Sequence, residues 1–253
     1  MRNFNTLFVG KVVLHFPELA STNQYAVEQL AKTKPSEGTV VTTDYQSAGR
    51  GQIGSSWQAE PGQNIHLSVL FYPHWLAARR QFSFSQAMAL AVADTISLCT
   101  NQQAQVKWPN DVYMGDRKLA GILIQNSLQG GHMQWSVVGI GINVNQRNFS
   151  SDLRNPSSLS LVTGESFALA DVQQSLYAHL EQRYLQLKRG DVQLQADYLK
   201  QLYRINEKAD YRDVVSDTLF KGQIEGVSDQ GKLLIRDEDG TLRSFGLKEV
   251  HFL

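Results

Sequence analysis

The chain has 253 residues, 42% of them hydrophobic and 19% charged, which bounds it to one large domain, or one large and one small, and excludes a disordered or fibrous protein. Twenty-four basic residues balance 24 acidic ones, so the formal net charge is zero and the basic surplus of a general nucleic-acid binder is missing. The single cysteine, Cys99, excludes an internal disulfide and fits a reducing compartment.

No apolar run approaches the roughly 18 residues of a membrane span. Residues 1–5 lack the charged-then-apolar order of a signal peptide, so a soluble cytoplasmic protein is expected. In chain order, residues 12–16 read as a short strand. Ser21 has the form of an N-cap, with Gln24 three residues on completing a capping box, and a helix follows to about residue 32. Residues 39–45, rich in β-branched side chains, read as a strand. A glycine-rich loop occupies 46–63, and 64–72 is a second strand closed by Pro73. Residues 82–99 form a strongly apolar, buried helix that ends on Cys99 as a small core residue. Residues 106–111 are a strand end and turn. Two apolar strands, 118–125 and 135–144, are parted by the turn Gln129-Gly130-Gly131, and a polar loop follows over 145–158.

Leu169, Val172, Leu176, Leu180, Tyr184 and Leu187 step by three or four, which marks an amphipathic helix over 170–188. A further helix is expected over 192–203. After about Asn206 the texture changes to short strands, at 219–226, 233–237, 242–247 and 249–252. Asp229-Gln230-Gly231 and Asp239-Gly240 between them are hairpin-turn chemistry. This predicts a main domain of residues 1–205 and a small β-barrel of residues 206–253 docked on it.

The most informative string is Gly49-Arg50-Gly51-Gln52-Ile53-Gly54-Ser55-Ser56-Trp57. It contains G-x-G-x-x-G, but a dinucleotide fingerprint opens a helix and is followed about 20 residues later by an acid that holds the ribose. Here Pro61-Gly62 follows, and no Asp or Glu stands between Glu60 and Asp94. A glycine loop with one cation, Arg50, and one large aromatic, Trp57, suits an anion and a flat ring, which points to adenylate chemistry and away from hydride transfer. The bland alternative is an arginine in a flexible surface loop.

Three other strings can carry chemistry. Lys107-Trp108-Pro109-Asn110-Asp111 sets an amide and a carboxylate around a proline turn, where Asp111 can hold Mg²⁺ near phosphates and Asn110 can bond a ligand. An Asn-Asp pair also serves turns for purely conformational reasons. Lys118 stands at the mouth of an apolar strand whose Gly121 signals close approach, or is a solvated strand-end lysine. Gly139-Ile140-Gly141-Ile142-Asn143 puts two glycines into a strand that otherwise wants bulk, for a ligand or for tight sheet packing. The six histidines are scattered without a zinc-ligand spacing, and no serine sits in a G-x-S-x-G elbow.

In order, Ser21-Thr22-Asn23, the loop from Gly49 to Trp57, Lys107-Trp108-Pro109-Asn110-Asp111, Lys118-Leu119-Ala120-Gly121-Ile122-Leu123 and Gly139 to Asn143 together resemble biotin protein ligases. The resemblance implies an α+β fold: a mixed sheet flanked by helices, of the class II synthetase-like biotin/lipoate ligase type, with an SH3-like C-terminal barrel. It implies that biotin and ATP form biotinyl-5′-AMP with Mg²⁺. A lysine of the biotin carboxyl carrier protein of acetyl-CoA carboxylase, or of a related biotin-dependent enzyme, then takes the biotinyl group. It places Ser21, Thr22, Asn23 and Gln46 against the biotin ring, and Gly49, Arg50, Gly51, Gln52 and Lys118 around its carboxylate. Arg50 and Lys118 become the catalytic cations, Asp111 the metal ligand, and Asn110, Asp111, Asn143 and Trp57 the ATP side, with Trp57 covering the ligand as the loop closes.

Gln52 and Ser55 stand where many members carry further arginines, so the phosphate grip rests more on Arg50 and Lys118. With the first family strand starting near Val12, no room is expected for the winged-helix domain that makes some members repressors. No DNA or membrane partner is therefore expected, and a homodimer is left open. Two alternatives remain: a lipoate ligase of the same fold, and a non-catalytic regulator or adaptor built on the C-terminal unit.

Overall fold

Strand β1 (Val13–Leu19) runs straight into Ser21, whose Oγ accepts from the Gln24 amide at 3.5 Å and caps helix α1 (Thr22–Lys32). The expected capping box is only half made. The Gln24 side chain instead donates to Glu28 and accepts from Arg50, a charged donor that outcompetes a neutral amide. Helix α1 carries the chain back to β2 (Val40–Gln46), which therefore pairs parallel to β1. The computed structural model describes residues 5–52, 56–190 and 192–253. Ile53, Gly54 and Ser55 of the glycine loop, and most of the N-terminal segment read above for a signal sequence, lie outside the described residues.

Strand β3 (Asn64–Phe71) is buried along its whole length, because helices cover both faces of its sheet. Helix α2 (Gln81–Thr100) follows a short 3-10 turn and buries Phe84, Met88, Leu90 and Ile96 fully; one such side chain contributes about 1.5–3 kcal/mol. With the turn before it, this helix is long and apolar enough to cross a membrane by length and composition, which counting apolar runs overlooked. In the fold it is the central core helix, packed against the sheet and against α4 (Leu169–Lys188).

The short strands β4 (Gln105–Lys107) and β5 (Asp111–Met114) turn about residues 108–110. Strands β6 (Arg117–Gln129) and β7 (His132–Asn143) form a long hairpin closed at Gly130 and Gly131, both at positive φ. The seven strands order as β1-β2-β3-β7-β6-β5-β4. A five-residue helix, α3 (Leu159–Thr163), was not anticipated, and α5 (Gln193–Lys200) is shorter than expected.

The C-terminal part adds β8 (Lys208–Asp213), β9 (Thr218–Val227), β10 (Leu233–Asp237), β11 (Leu242–Phe245) and β12 (Val250–Phe252). Strand β8 escapes sequence reading because Lys-Ala-Asp-Tyr-Arg-Asp has almost no apolar signal. These strands form an antiparallel sheet ordered β11-β10-β9-β8-β12. The expected C-terminal β unit is present as this five-stranded sheet, and its end strands share no ladder among the described pairings. Tyr211, Ile224, Leu233 and Phe252 of this sheet join the same apolar core as α2 and β3.

Distant segments are fastened by one buried and one half-buried carboxylate. Glu181 of α4, 6% exposed, accepts from the amides of Leu7, Phe8 and Val9 at 2.6, 2.7 and 3.0 Å. Glu37 Oε1 accepts from the Tyr184 hydroxyl and the Tyr72 amide.

His66 on β3 is 1% exposed, with neither ring nitrogen hydrogen-bonded among the described residues. Burial pulls its pKa down to about 4, against a smaller opposing contribution from the Thr43 backbone. The folded state therefore resists protonation while the unfolded chain titrates near 6.5. Stability associated with His66 is full above about pH 6.5 and falls as the pH drops toward 4. His66→Leu should remove about 2 kcal/mol of the stability difference between pH 7 and pH 5, read from urea midpoints. An acid limb identical in the variant and the wild type would refute the assignment.

Candidate active site

The ladder register lays two rows of residues across one face of the large sheet. Val41, Ser68, Gly139 and Leu123 lie side by side in one row. Thr43, His66, Gly141, Gly121, Asp111 and Lys107 form the next. Three glycines in these rows make a floor without side chains. A Cβ on Gly139 would collide with the Asn23 amide. One on Gly141 would come within 2.5 Å of Trp57 Cε2, and one on Gly121 within 3.0 Å of Trp57 Cζ3. Close approach is thus the reason for glycine in these strands, and what approaches are the protein's own Asn23 and Trp57.

The N-terminus of α1 supplies one wall. Ser21, Thr22 and Asn23 are almost fully buried. Asn23 Nδ2 donates to the Leu123 carbonyl, and Ser68 Oγ lies 2.6 Å from Asn23 Oδ1 and 2.8 Å from Thr22 Oγ1. Gln46 Oε1 accepts from the Thr22 amide at 2.9 Å and its hydroxyl at 3.2 Å. The amide NH₂ of Gln46 is thereby turned away from Thr22 and lies beside Gly49, 3.3 Å from where a Cβ on that residue would stand.

The glycine loop forms the lid-like side. Its ends are pinned by a bridge between Arg50 and Ser56 and by the Trp57 amide donating to the Gly49 carbonyl at 3.0 Å. Trp57 lies across Gly121 and Gly141, with its indole N–H buried and without a partner among the described residues. Two cations flank it. Arg50 is exposed and donates to Gln24 at 3.2 Å, while Lys118 pairs with Asp111 at 2.7 Å and sits 5.9 Å from the centre of the Trp57 ring.

The 107–111 turn closes the far end. Asn110 holds it to β6 twice, its side chain donating to the Ile122 carbonyl and its own carbonyl accepting from the Ile122 amide. Asp111 is the one carboxylate among the lining residues. Lys107 stands directly across from it, and burial, with Arg154 pushing the same way, pulls the Lys107 pKa down to about 8.

One cavity is lined by Ser21, Thr22, Asn23, Gln46, Arg50, Gly51, Gln52, Trp57, Asn110, Asp111 and Lys118, so most of the residues singled out in the sequence converge. Gly49 and Asn143 do not line it. Gly49 is wedged against Gln46 and Trp57, and Asn143 donates to the Ser157 carbonyl while its Oδ1 is buried without a partner among the described residues. Sequence reasoning missed Ser68, which joins Thr22 to Asn23, and Gln24, which holds Arg50. Ser68 carries no motif signal, and Gln24 was read only as the capping-box residue. Among the described residues no group of three or more metal-ligating side chains occurs.

Residues 16–143, just over half of the chain, match the Biotin/lipoate A/B protein ligase family. The chain is 29% identical over 231 residues to the bifunctional ligase/repressor BirA of Bacillus spizizenii, covering 90% of this chain and 70% of that one. It is also 29% identical over 230 residues to the biotin–[acetyl-CoA-carboxylase] ligase of Paracoccus denitrificans, covering 88% and 94%. Its fold superposes with a TM-score of 0.78 on the Aquifex aeolicus biotin protein ligase in complex with biotin and ATP, at 23% identity, covering 96% of this chain and 100% of that one.

Seating of Trp57 on the glycine floor is testable without any ligand. Gly141→Ala should push the indole off the floor and raise acrylamide quenching of tryptophan emission, and the difference should vanish in a Trp57→Phe background. Quenching that Gly141→Ala leaves unchanged would show that the ring does not depend on the missing side chain.

Proposed function

The chain belongs to the biotin/lipoate A/B protein ligase family, and from that premise we propose that it is an ATP-dependent biotin protein ligase. It forms biotinyl-5′-AMP from biotin and ATP, then passes the biotinyl group to a lysine of a biotin carboxyl carrier protein domain. The observation that carries this reading is the cavity's polarity: an amide- and hydroxyl-rich end at Thr22, Asn23 and Gln46, and a cationic end at Arg50 and Lys118, joined over the glycine floor. The relatives named as biotin–[acetyl-CoA-carboxylase] ligases point to a carboxylase carrier as the acceptor.

In the first step a biotin carboxylate oxygen attacks the α-phosphorus of ATP, and the bond to the β-phosphate oxygen breaks with release of pyrophosphate. Both reactants are anions, so the barrier is largely electrostatic. Two cations on the shared oxygens lower it most where charge gathers, at the α-phosphoryl oxygens. Arg50 and Lys118 reach those oxygens by leaving Gln24 and Asp111, the partners they hold in the free protein. Gly51 and Gln52 bring loop backbone to the same place. Asn23, locked by Ser68 and Leu123, and Gln46, locked by Thr22, hold the biotin ring so that its carboxylate meets the phosphate already oriented. Trp57 covers the ligand and keeps water from the mixed anhydride. In the second step the neutral amine of the carrier lysine attacks the biotinyl carbonyl carbon, AMP leaves, and the amine loses its proton as the amide forms.

Mg²⁺ takes one or two carboxylates together with substrate phosphates, so a single Asp111 at the phosphate end fits it. When bound, the ion supplies neutralisation of phosphate charge. Asn110 and Asn143 are assigned to the nucleotide side. The same reading divides the chain into a catalytic unit, residues 1–205, and a C-terminal unit, residues 206–253, and places it in the cytoplasm. Zero net charge argues against an operator-binding role.

Incubation with an apo carrier domain, ATP and either biotin or lipoate should add the mass of one biotinyl group and no lipoyl group. A lipoyl adduct alone would make the protein a lipoate ligase, and no adduct with either acid would leave a non-catalytic protein. Lys118→Ala and Arg50→Ala should each slow adenylate formation about 100-fold or more; rates within a few-fold of wild type would remove the cations from the chemistry. Asp111→Asn should raise the Mg²⁺ concentration for half-maximal adenylation, and an unchanged requirement would leave Asp111 as a turn residue.

A further inference from the structure

The first two residues of the 107–111 turn are both fastened to the C-terminal sheet. Trp108, 4% exposed, donates its indole N–H to the Gly231 carbonyl, in the turn between β9 and β10, at 2.9 Å. Lys107 extends into a box of three aromatic rings. Its Nζ lies 4.6 Å from the centre of Tyr113 on β5, 4.9 Å from Phe252 on β12 and 5.5 Å from Tyr203 after α5. Its one hydrogen bond among the described residues is a long contact of 3.4 Å to the Tyr113 hydroxyl, and no described carboxylate pairs with it. The box is itself braced. The Tyr203 amide donates to the Val106 carbonyl, the Val106 amide to the Gln201 carbonyl, and Arg154 to the Phe252 carbonyl.

A half-buried ammonium with no carboxylate in contact is costly unless something offsets its lost hydration, and the Asp111 charge across the ladder offsets only part of it. Here ring faces do so as well, and they act on charge rather than on shape. The geometry also fixes what the box controls. Lys107 is the residue directly across the β4–β5 ladder from Asp111, and Asp111 in turn holds Lys118. A shift of Lys107 therefore moves the carboxylate and the cation at the phosphate end of the cavity. The end at Thr22, Asn23 and Gln46 is anchored separately, by Ser68 and Leu123.

We propose that Lys107 is a positioning residue for adenylation: its ammonium, held by Tyr113, Tyr203 and Phe252, ties the Asp111–Lys118 end of the cavity to the last strand of the C-terminal sheet. The inference rests on the ligase reading and adds that the C-terminal sheet sets the ATP end and leaves the biotin end alone.

Lys107→Met keeps the length of the side chain and its apolar fill but removes the charge. Lys107→Arg keeps the charge, and Phe252→Leu removes one wall. Biotin binding without ATP, KM for ATP and kcat for adenylate formation are measured on the full chain. Lys107→Met should lower kcat/KM for ATP about 10-fold or more while the biotin Kd stays within about twofold of wild type. Phe252→Leu should move the same parameters in the same direction, and Lys107→Arg should restore most of the loss. Wild-type ATP parameters in Lys107→Met would overturn the proposal. So would an arginine variant as impaired as the methionine one, which would make the effect one of shape, or biotin affinity lost in parallel with ATP, which would make it general unfolding. A wild-type chain that forms no adenylate would fail at the ligase reading itself, and the role of Lys107 would fall with it.

Discussion

Three positions on one face of the large sheet carry no side chain, and the rest of the site is arranged around that gap. Gly139 admits Asn23 from helix α1, and Gly141 and Gly121 admit Trp57 from the loop that follows β2. Neither approach works unless the ladders of β3, β7 and β6 are in register, because a slip of one residue would bring isoleucines of the opposite face under both groups. The register is in turn held by the opposite face, where Ile65, Leu67, Val69, Ile140 and Ile142 pack into the core. Core packing and cavity geometry are thus two sides of the same strands.

The cations are placed by a second device, temporary partners. Arg50 rests on a neutral glutamine, a weaker partner than a phosphate or carboxylate, and Lys118 rests on an aspartate carboxylate, which it exchanges for the more highly charged phosphates. The charges are therefore positioned before substrate arrives, yet are free to leave. The half-made capping box belongs to this arrangement. Gln24 gives up its place at the helix terminus to hold Arg50.

Most of the architecture was legible where periodicity is strong. The β-branched content of β2, the apolar runs of β6 and β7, the strand read at β3 and the three- to four-residue step of α4 fall within a few residues of where these elements lie. Strand β8 and helix α3 were not legible, since one is polar and the other a single turn and a half. The length of α2 as an apolar span was also overlooked, because Ser83, Ser85 and Gln86 and then Asp94, Thr95 and Ser97 interrupt the run, which reaches span-like hydropathy only as an average. In the site, the motif strings were readable because glycine, charge and aromatic stand together. Ser68, His66 and the rings around Lys107 were not, because each is an ordinary residue in its own neighbourhood and gains its role only from chain that returns much later in the sequence.

The bare floor also limits how the cavity can change. Pockets widen most readily by trimming side chains, and glycine has nothing to trim. Any side chain at Gly139, Gly141 or Gly121 would displace Asn23 or Trp57, so mutation can crowd this side and cannot deepen it. Acceptance of a bulkier acid must come from the side chains of α1 and β2 that meet the floor, at Thr22, Asn23 or Gln46, and each of those is bonded to a neighbour that would be left without its partner. Selectivity in this protein is therefore inherited from backbone, and altering it means dismantling a hydrogen-bond network as well as exchanging a residue.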